Sequence, residues 1–182
     1  ILIGNNMNCL TKRKRGLPQI INKKAKVLIL GSFPGEDSLK MRQYYANRRN
    51  YFWKIIFKVL REKDPKEDKQ RTKILEKNSI GLWDVVYSCF RKGSADTKIR
   101  KPRFNNITKV LKEYPNIKAI FLNGSKANRL FDSKFLKNKL NVHIELLPST
   151  SPANAGQTLT FKYSKWKKIR RFIISKAQGG VK

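Results

Sequence analysis

The chain has 182 residues, 40% of them hydrophobic and 10% aromatic, which suits one packed domain, is short for two and argues against disorder. Forty-two Lys and Arg against 12 Asp and Glu give a formal net charge of +30, a balance that predicts a polyanionic partner, nucleic acid first. With only Cys9, Cys89 and His143 to draw on, iron–sulfur clusters, four-cysteine zinc sites and histidine-rich metal sites are excluded.

The abundance of Lys, Asn and Ile is also what an AT-rich coding sequence produces, so charge nominates a partner without naming a chemistry. No apolar run reaches the ~20 residues that span a bilayer. The opening ILIGNNMNCL is too short and too polar for a secretory signal peptide. It also lacks an initiator Met, so the natural N-terminus is expected to lie upstream. A Cys9–Cys89 disulfide is one reading of the two cysteines, although nothing points to an oxidising compartment.

Residues 1–24 read as a basic arm carrying Lys12-Arg13-Lys14-Arg15, a solvated segment touching phosphates or a nuclear-import signal. The domain proper is expected over 25–177, with 178–182 as a tail. Val27-Leu28-Ile29-Leu30 predicts a buried parallel strand running into the turn Gly31-Ser32-Phe33-Pro34-Gly35. Phe52, Ile55, Ile56, Val59 and Leu60 recur at helical spacing and predict an amphipathic helix from about Asn50. Residues 62–73 read as a charged loop entering a short helix.

Gly81 to Tyr87 predicts a second buried strand, followed by a polar loop with Arg91, Gly93, Ser94 and Asp96. A helix over Ile107, Val110, Leu111 and Tyr114 is capped by Asn106. Ile117–Leu122 predicts the third strand, Ala127, Leu130 and Phe131 the next helix, and Val142–Leu147 the fourth strand. Trp166, Ile169 and Ile173 mark a closing helix. Strands alternating with helices imply an α/β fold, a single three-layer αβα domain around a four-stranded, mainly parallel sheet.

Two strand-end loops stand out as places for chemistry, because ligands of open α/β sheets bind at the carboxyl ends of strands. One is 31–35. The other, 148–155, is rich in hydroxyls and braced by Pro148 and Pro152, suited to phosphate contacts or simply to capping. Neither is a P-loop, since no Gly-Lys-Ser/Thr follows a glycine-rich turn.

Taken in order, GSFPGEDSL, YYANRRNYFW, GLWDVVYSCFRKGSADT and LLPSTSPANA resemble the uracil-DNA glycosylase superfamily, nearest its hypoxanthine-DNA (deoxyinosine) and mismatch-specific uracil glycosylase branch. The resemblance spans about residues 25–175. It implies a monofunctional enzyme of base excision repair that flips a deaminated base from double-stranded DNA and hydrolyses its N-glycosidic bond, hypoxanthine first, with no metal or organic cofactor. Uracil or a G:T/U mismatch is the alternative within the class; a non-catalytic basic nucleic-acid-binding domain is the alternative outside it. The implied protein is a monomer away from membranes, cytoplasmic in a prokaryote or nuclear in a eukaryote.

The same resemblance assigns roles. Gly31, Ser32, Phe33, Pro34, Tyr45 and Ser149 are the expected substrate-binding residues. Phe33 stands where mismatch-specific members place Asn, and it would stack on the extruded base. The catalytic amide then falls to Asn50, which is equally well suited to capping a helix. Asp84 either braces the pocket, stabilises the sugar cation, or is a buried strand-end carboxylate held by backbone donors. Arg48, Arg49, Arg91, Ser94, Ser149, Thr150, Ser151 and Asn154 are the expected DNA contacts, and the 148–155 loop the expected wedge. Two departures from the superfamily matter. Leu147 occupies the position of a base-stabilising histidine, leaving His143 as a strand residue or a displaced catalytic one, and Asn47-Arg48 replaces a His-Pro step. The missing polar groups favour a purine-directed pocket.

Overall fold

Val27, Leu28, Ile29 and Leu30 are all fully buried, as a strand covered on both faces must be. In the computed structural model, which describes residues 12–135 and 137–173, they form β2 (Val27–Gly31), the second strand of a parallel sheet ordered β3-β2-β6-β7. Here β3 is Ile80–Asp84, β6 Ala119–Asn123 and β7 His143–Leu147. Pairing is in register throughout, Leu30 against Trp83 and Leu122, and Leu122 against Leu146.

The period-2 alternation of β2 sorts its side chains into two cores. Val27 and Ile29 pack with Phe52, Ile55, Ile56 and Val59 of α2 (Phe52–Leu60), Leu75 of α3 (Asp68–Lys77) and Trp166 of α6 (Leu159–Trp166). Leu28 and Leu30 pack on the other face with Ile107 and Val110 of α4 (Ile107–Glu113) and Leu130 and Phe131 of α5 (Ser125–Lys134). This is the expected αβα sandwich. A short α1 (Glu36–Met41) follows the first strand-end turn, and α7 (Arg170–Ile173) continues α6 after a single 3-10 turn.

The expected cap of α4 is present: Asn106 Oδ1 accepts the Lys109 N–H at 2.9 Å. The second strand differs from expectation. The apolar stretch from Gly81 to Tyr87 is divided after Asp84, and β4 (Val86–Phe90) leaves the parallel sheet for a small antiparallel one. Its partners are β1 (Lys14–Arg15) and β5 (Arg100–Phe104), in the order β1-β4-β5. Val85 and Val86 still donate to Gly31 O and Ser32 O at 2.9 and 3.1 Å, so the chain turns away while bonded to the first loop. Both halves of the stretch are buried, and a burial pattern alone carries no mark of a change of sheet.

Part of the basic segment is thus structural. Arg13 Nη1 donates to Lys101 O at 3.0 Å and to Ser88 O at 3.3 Å, with its guanidinium 4.4 Å from the Phe90 ring centre. Ile20 exchanges backbone bonds of 2.7 and 2.9 Å with Leu82, covering the outer edge of β3. Cys89 is buried in the second core; Cys9 and the 178–182 tail lie outside the described residues. No described helix is long and apolar enough to cross a membrane.

Candidate active site

The carboxyl ends of β2, β3, β6 and β7 open together into a cavity of about 840 Å³, within the ~300–1,000 Å³ typical of small-molecule sites. Its wall combines the 31–35 turn, Tyr45, Asn50, Asp84, Ser94 to Asp96, Asn123 and the 147–154 loop. Residues more than 120 positions apart in sequence meet here because parallel strands deliver all their ends to one edge.

Asp84 closes β3 at the cavity floor. Its side chain is 4% exposed, and Oδ2 is buried without a hydrogen-bond partner. Burial pushes its pKa up to about 8, the nearby Asp96 adds to the rise, and Arg91 opposes it. The carboxyl is therefore largely neutral at pH 7, unlike the donor-held carboxylate that was one reading of the sequence. A buried, unpaired titratable group in a cleft is the usual mark of a functional site. Gly31 is required beside it: a Cβ there would sit 2.4 Å from Asp84 Oδ1 and 3.1 Å from the Tyr45 hydroxyl.

The 31–35 turn is held from behind. Ser32 Oγ donates to Asp96 Oδ2 at 2.7 Å, and the Glu36 N–H donates to Ser94 Oγ at 2.8 Å. Arg91 is buried, so the phosphate contact expected of it is replaced by an internal one. Its guanidinium donates to Pro34 O, lies 4.9 Å over the Phe33 ring and faces Asp96 at 3.9 Å. Phe33 is packed away with it and is not the stacking surface expected. The ring is 5% exposed and packed in the second core with Arg91 against its face, leaving little surface for a base to stack on.

The half-buried aromatic on the cavity wall is Tyr45. Its ring stacks on Phe52 at 3.9 Å, and its backbone takes the left-handed conformation at φ 52°, unusual for a tyrosine. Asn123, the last residue of β6, holds it there. Its Nδ2 donates to the Tyr45 hydroxyl at 3.0 Å and to Thr150 Oγ1 at 2.9 Å, and its Oδ1 accepts the Thr150 N–H at 3.0 Å. The sequence signal was a polar residue immediately after a buried strand. Thr150, expected to touch DNA, is fully buried and engaged with Asn123 instead.

Asn50 lines the cavity just ahead of α2, and its Oδ1 accepts the Phe52 N–H at 3.0 Å. It therefore holds the helix start while presenting its amide to the cavity. The next residue ties the helix to the fourth loop, Tyr51 N–H donating to Thr150 O at 3.0 Å. Arg48 and Arg49 are exposed beside it, off the cavity wall.

The 148–155 loop is bonded internally. The Ser151 N–H donates to Ser149 Oγ at 3.2 Å, and Asn154 Nδ2 donates to Ser149 O and Gln157 Oε1 at 3.2 and 2.9 Å. From outside, fully buried Lys162 donates to Asn154 O at 2.8 Å and Trp166 Nε1 to Pro148 O at 2.9 Å. Gly124, at φ 94°, lets Ser149 pack against the start of α5; a Cβ would fall 2.7 Å from the Ser149 Cβ. His143 begins β7, exposed, 3.2 Å from Glu145 and stacked on Phe172. Among the described residues, no cluster of three His, Cys, Asp or Glu is placed to hold a metal.

Residues 18–172 match the model of the uracil DNA glycosylase superfamily. A hypoxanthine DNA glycosylase of Methanosarcina acetivorans is 33% identical over 160 residues, covering 87% of this chain and 98% of that protein. One from Methanosarcina barkeri is 32% identical over 155 residues, covering 85% and 96%. The solution NMR structure of a candidate uracil DNA glycosylase from M. acetivorans superposes with a TM-score of 0.78 at 31% identity, over 88% of this chain and 98% of that one. With the strand-end cavity, the buried carboxyl and these likenesses in agreement, the chain belongs to the uracil DNA glycosylase superfamily.

Proposed function

We propose that the protein is a monofunctional DNA glycosylase acting as a monomer on duplex DNA, with hypoxanthine as its preferred base. The observation that carries the reading is Asp84: a buried carboxyl whose Oδ2 has no hydrogen-bond partner, neutral near pH 7, on the floor of a cavity at the strand ends. The substrate preference rests on the names of the two curated relatives.

In this mechanism the damaged nucleotide leaves the duplex and its base lies against Tyr45, backed by Phe52. The C1′–N9 bond breaks with its electron pair going to the base, while Asp84 gives its proton to the departing purine. The carboxylate left behind faces the cationic sugar, where a fixed charge in a dry site stabilises most. Asn50 orients the water that adds to C1′, and the proton released by that water returns to Asp84. An amide suits this task because it accepts and donates without titrating. Arg48, Arg49, Ser94 and the hydroxyls of Ser149 and Ser151 contact the flanking phosphates.

Hypoxanthine carries a carbonyl where adenine carries an amine. A donor fixed at that position pairs with the first and is left unmatched by the second. The test is incubation with duplexes bearing one hypoxanthine, uracil, xanthine or mismatched thymine, followed by alkali to cut abasic sites. Cleavage at hypoxanthine above the rest is expected. Preferred cleavage at uracil or thymine would move the enzyme to the mismatch-specific activity, and tight binding without abasic product from any lesion would make it a binding domain.

A further inference from the structure

Base flipping leaves a gap in the stack, and proteins that unstack DNA frequently fill such a gap with an apolar side chain. The 148–155 loop, where the superfamily resemblance puts this wedge, offers no long apolar side chain for the task. Its largest apolar side chains are prolines and alanines, Thr150 is buried, and the side chains of Ser149 and Asn154 are engaged within the loop.

The cavity rim does carry a large apolar group on the adjoining helix. Phe161 lines the cavity, is 42% exposed, and is the third residue of α6. Its backbone is fixed from both sides. Thr158 Oγ1 accepts the Phe161 N–H at 3.1 Å, and Ser164 Oγ donates to Phe161 O at 2.7 Å. The next residue, Lys162, is the buried lysine that anchors Asn154. A phenylalanine left this exposed on a backbone this constrained is preorganised to stack. Lys165 Nζ lies 5.4 Å from its ring centre and lines the same rim, a cation for the flanking phosphates, while Lys168 beside it is paired with Glu145.

We propose that Phe161 is the residue that enters the DNA stack when the target nucleotide is extruded, in place of the 148–155 loop. The inference rests on the glycosylase reading for its substrate but addresses a distinct step. It makes Phe161 a positioning residue, touching neighbouring bases and never the reacting atoms.

The experiment uses a hypoxanthine duplex with 2-aminopurine next to the lesion, whose fluorescence rises on unstacking, and compares wild type with Phe161→Ala and Phe161→Leu at saturating protein. Wild type and Phe161→Leu should raise the fluorescence severalfold, while Phe161→Ala binds and melts like wild type without the rise. Single-turnover excision by Phe161→Ala should fall roughly tenfold to a hundredfold, matching the loss of a base-unstacking contact. That deficit should shrink at least tenfold when hypoxanthine faces an abasic site and is already unpaired. A full fluorescence rise with Phe161→Ala, or an equal deficit on both substrates, would overturn the inference. Fluorescence that rises for wild type without excision would instead defeat the glycosylase reading and leave the wedge standing.

Discussion

Replacing Asp84 by Asn should make the protein more stable at high pH and nearly inactive. The sign follows from the raised pKa. Asp84 ordinarily titrates near 3.8 and is pushed up to about 8 when folded. Between those values the folded state holds a proton that the unfolded state has lost, so stability is complete at low pH and falls as pH rises through the window. The slope is about 1.4 kcal/mol per pH unit for one proton, which sets a ceiling of about 4 kcal/mol at pH 7. Asparagine is nearly isosteric and does not titrate. The stability gap between variant and wild type should therefore widen steadily from pH 5 to pH 8, whatever constant offset the amide introduces. For a domain of this size 1 kcal/mol corresponds to about 2–4 °C in Tm, so melting curves across that range should diverge by up to about 10 °C. Excision at pH 7 should fall about 10²- to 10⁴-fold, the usual scale for a lost general acid, and the decline of the wild-type rate above pH 8 should vanish in the variant. Parallel melting curves for the two proteins, or a variant that cuts at the wild-type rate, would refute the assignment.

Asn50→Ser keeps an oxygen for the Phe52 N–H and should melt within about 0.5 kcal/mol of wild type while excision drops at least a hundredfold; undiminished excision would show that Asn50 serves only the helix start. Gly31→Ala forces a Cβ to within 2.4 Å of Asp84 Oδ1, and chemical denaturation should show a loss of about 1–3 kcal/mol together with lost excision. Asn123→Ala removes the bonds to Tyr45 and Thr150; a loss of about 1–3 kcal/mol is expected, with Tyr45 fluorescence changed. Arg48→Ala with Arg49→Ala should reduce the slope of log binding constant against log salt by about 2, as for two lost phosphate contacts, measured by fluorescence anisotropy.

The sandwich was legible because its determinants are local and periodic. Val27 to Leu30 could only be a strand covered on both faces, and the spacing of Phe52, Ile55, Ile56 and Val59 could only be a helix with one apolar side. The break at Val85 was not legible, because residues on both sides are equally buried and the change of sheet depends on Lys14–Arg15, some 70 positions earlier, offering a partner edge. The position of the site was readable from where strands end. The facing of its side chains was not. Arg91 looks like any basic loop residue until the fold lays it over Phe33 and under Pro34, and the same packing takes Phe33 out of reach of a base. Asn123 escaped notice because its three bonds join segments 27 and 78 residues away. The perturbed state of Asp84 likewise depends on burial by elements that surround it only in space.

The central claim is hydrolytic removal of hypoxanthine without strand scission, and the most direct measurement is a product analysis. The protein is incubated with a duplex containing one hypoxanthine, the free bases are identified by mass spectrometry, and the DNA is resolved with and without alkali and after borohydride. The account predicts one free hypoxanthine per abasic site, intact strands until alkali is added, and no borohydride-trapped protein–DNA adduct. Absence of free hypoxanthine, or its release with spontaneous strand cleavage and a trapped adduct, would contradict it.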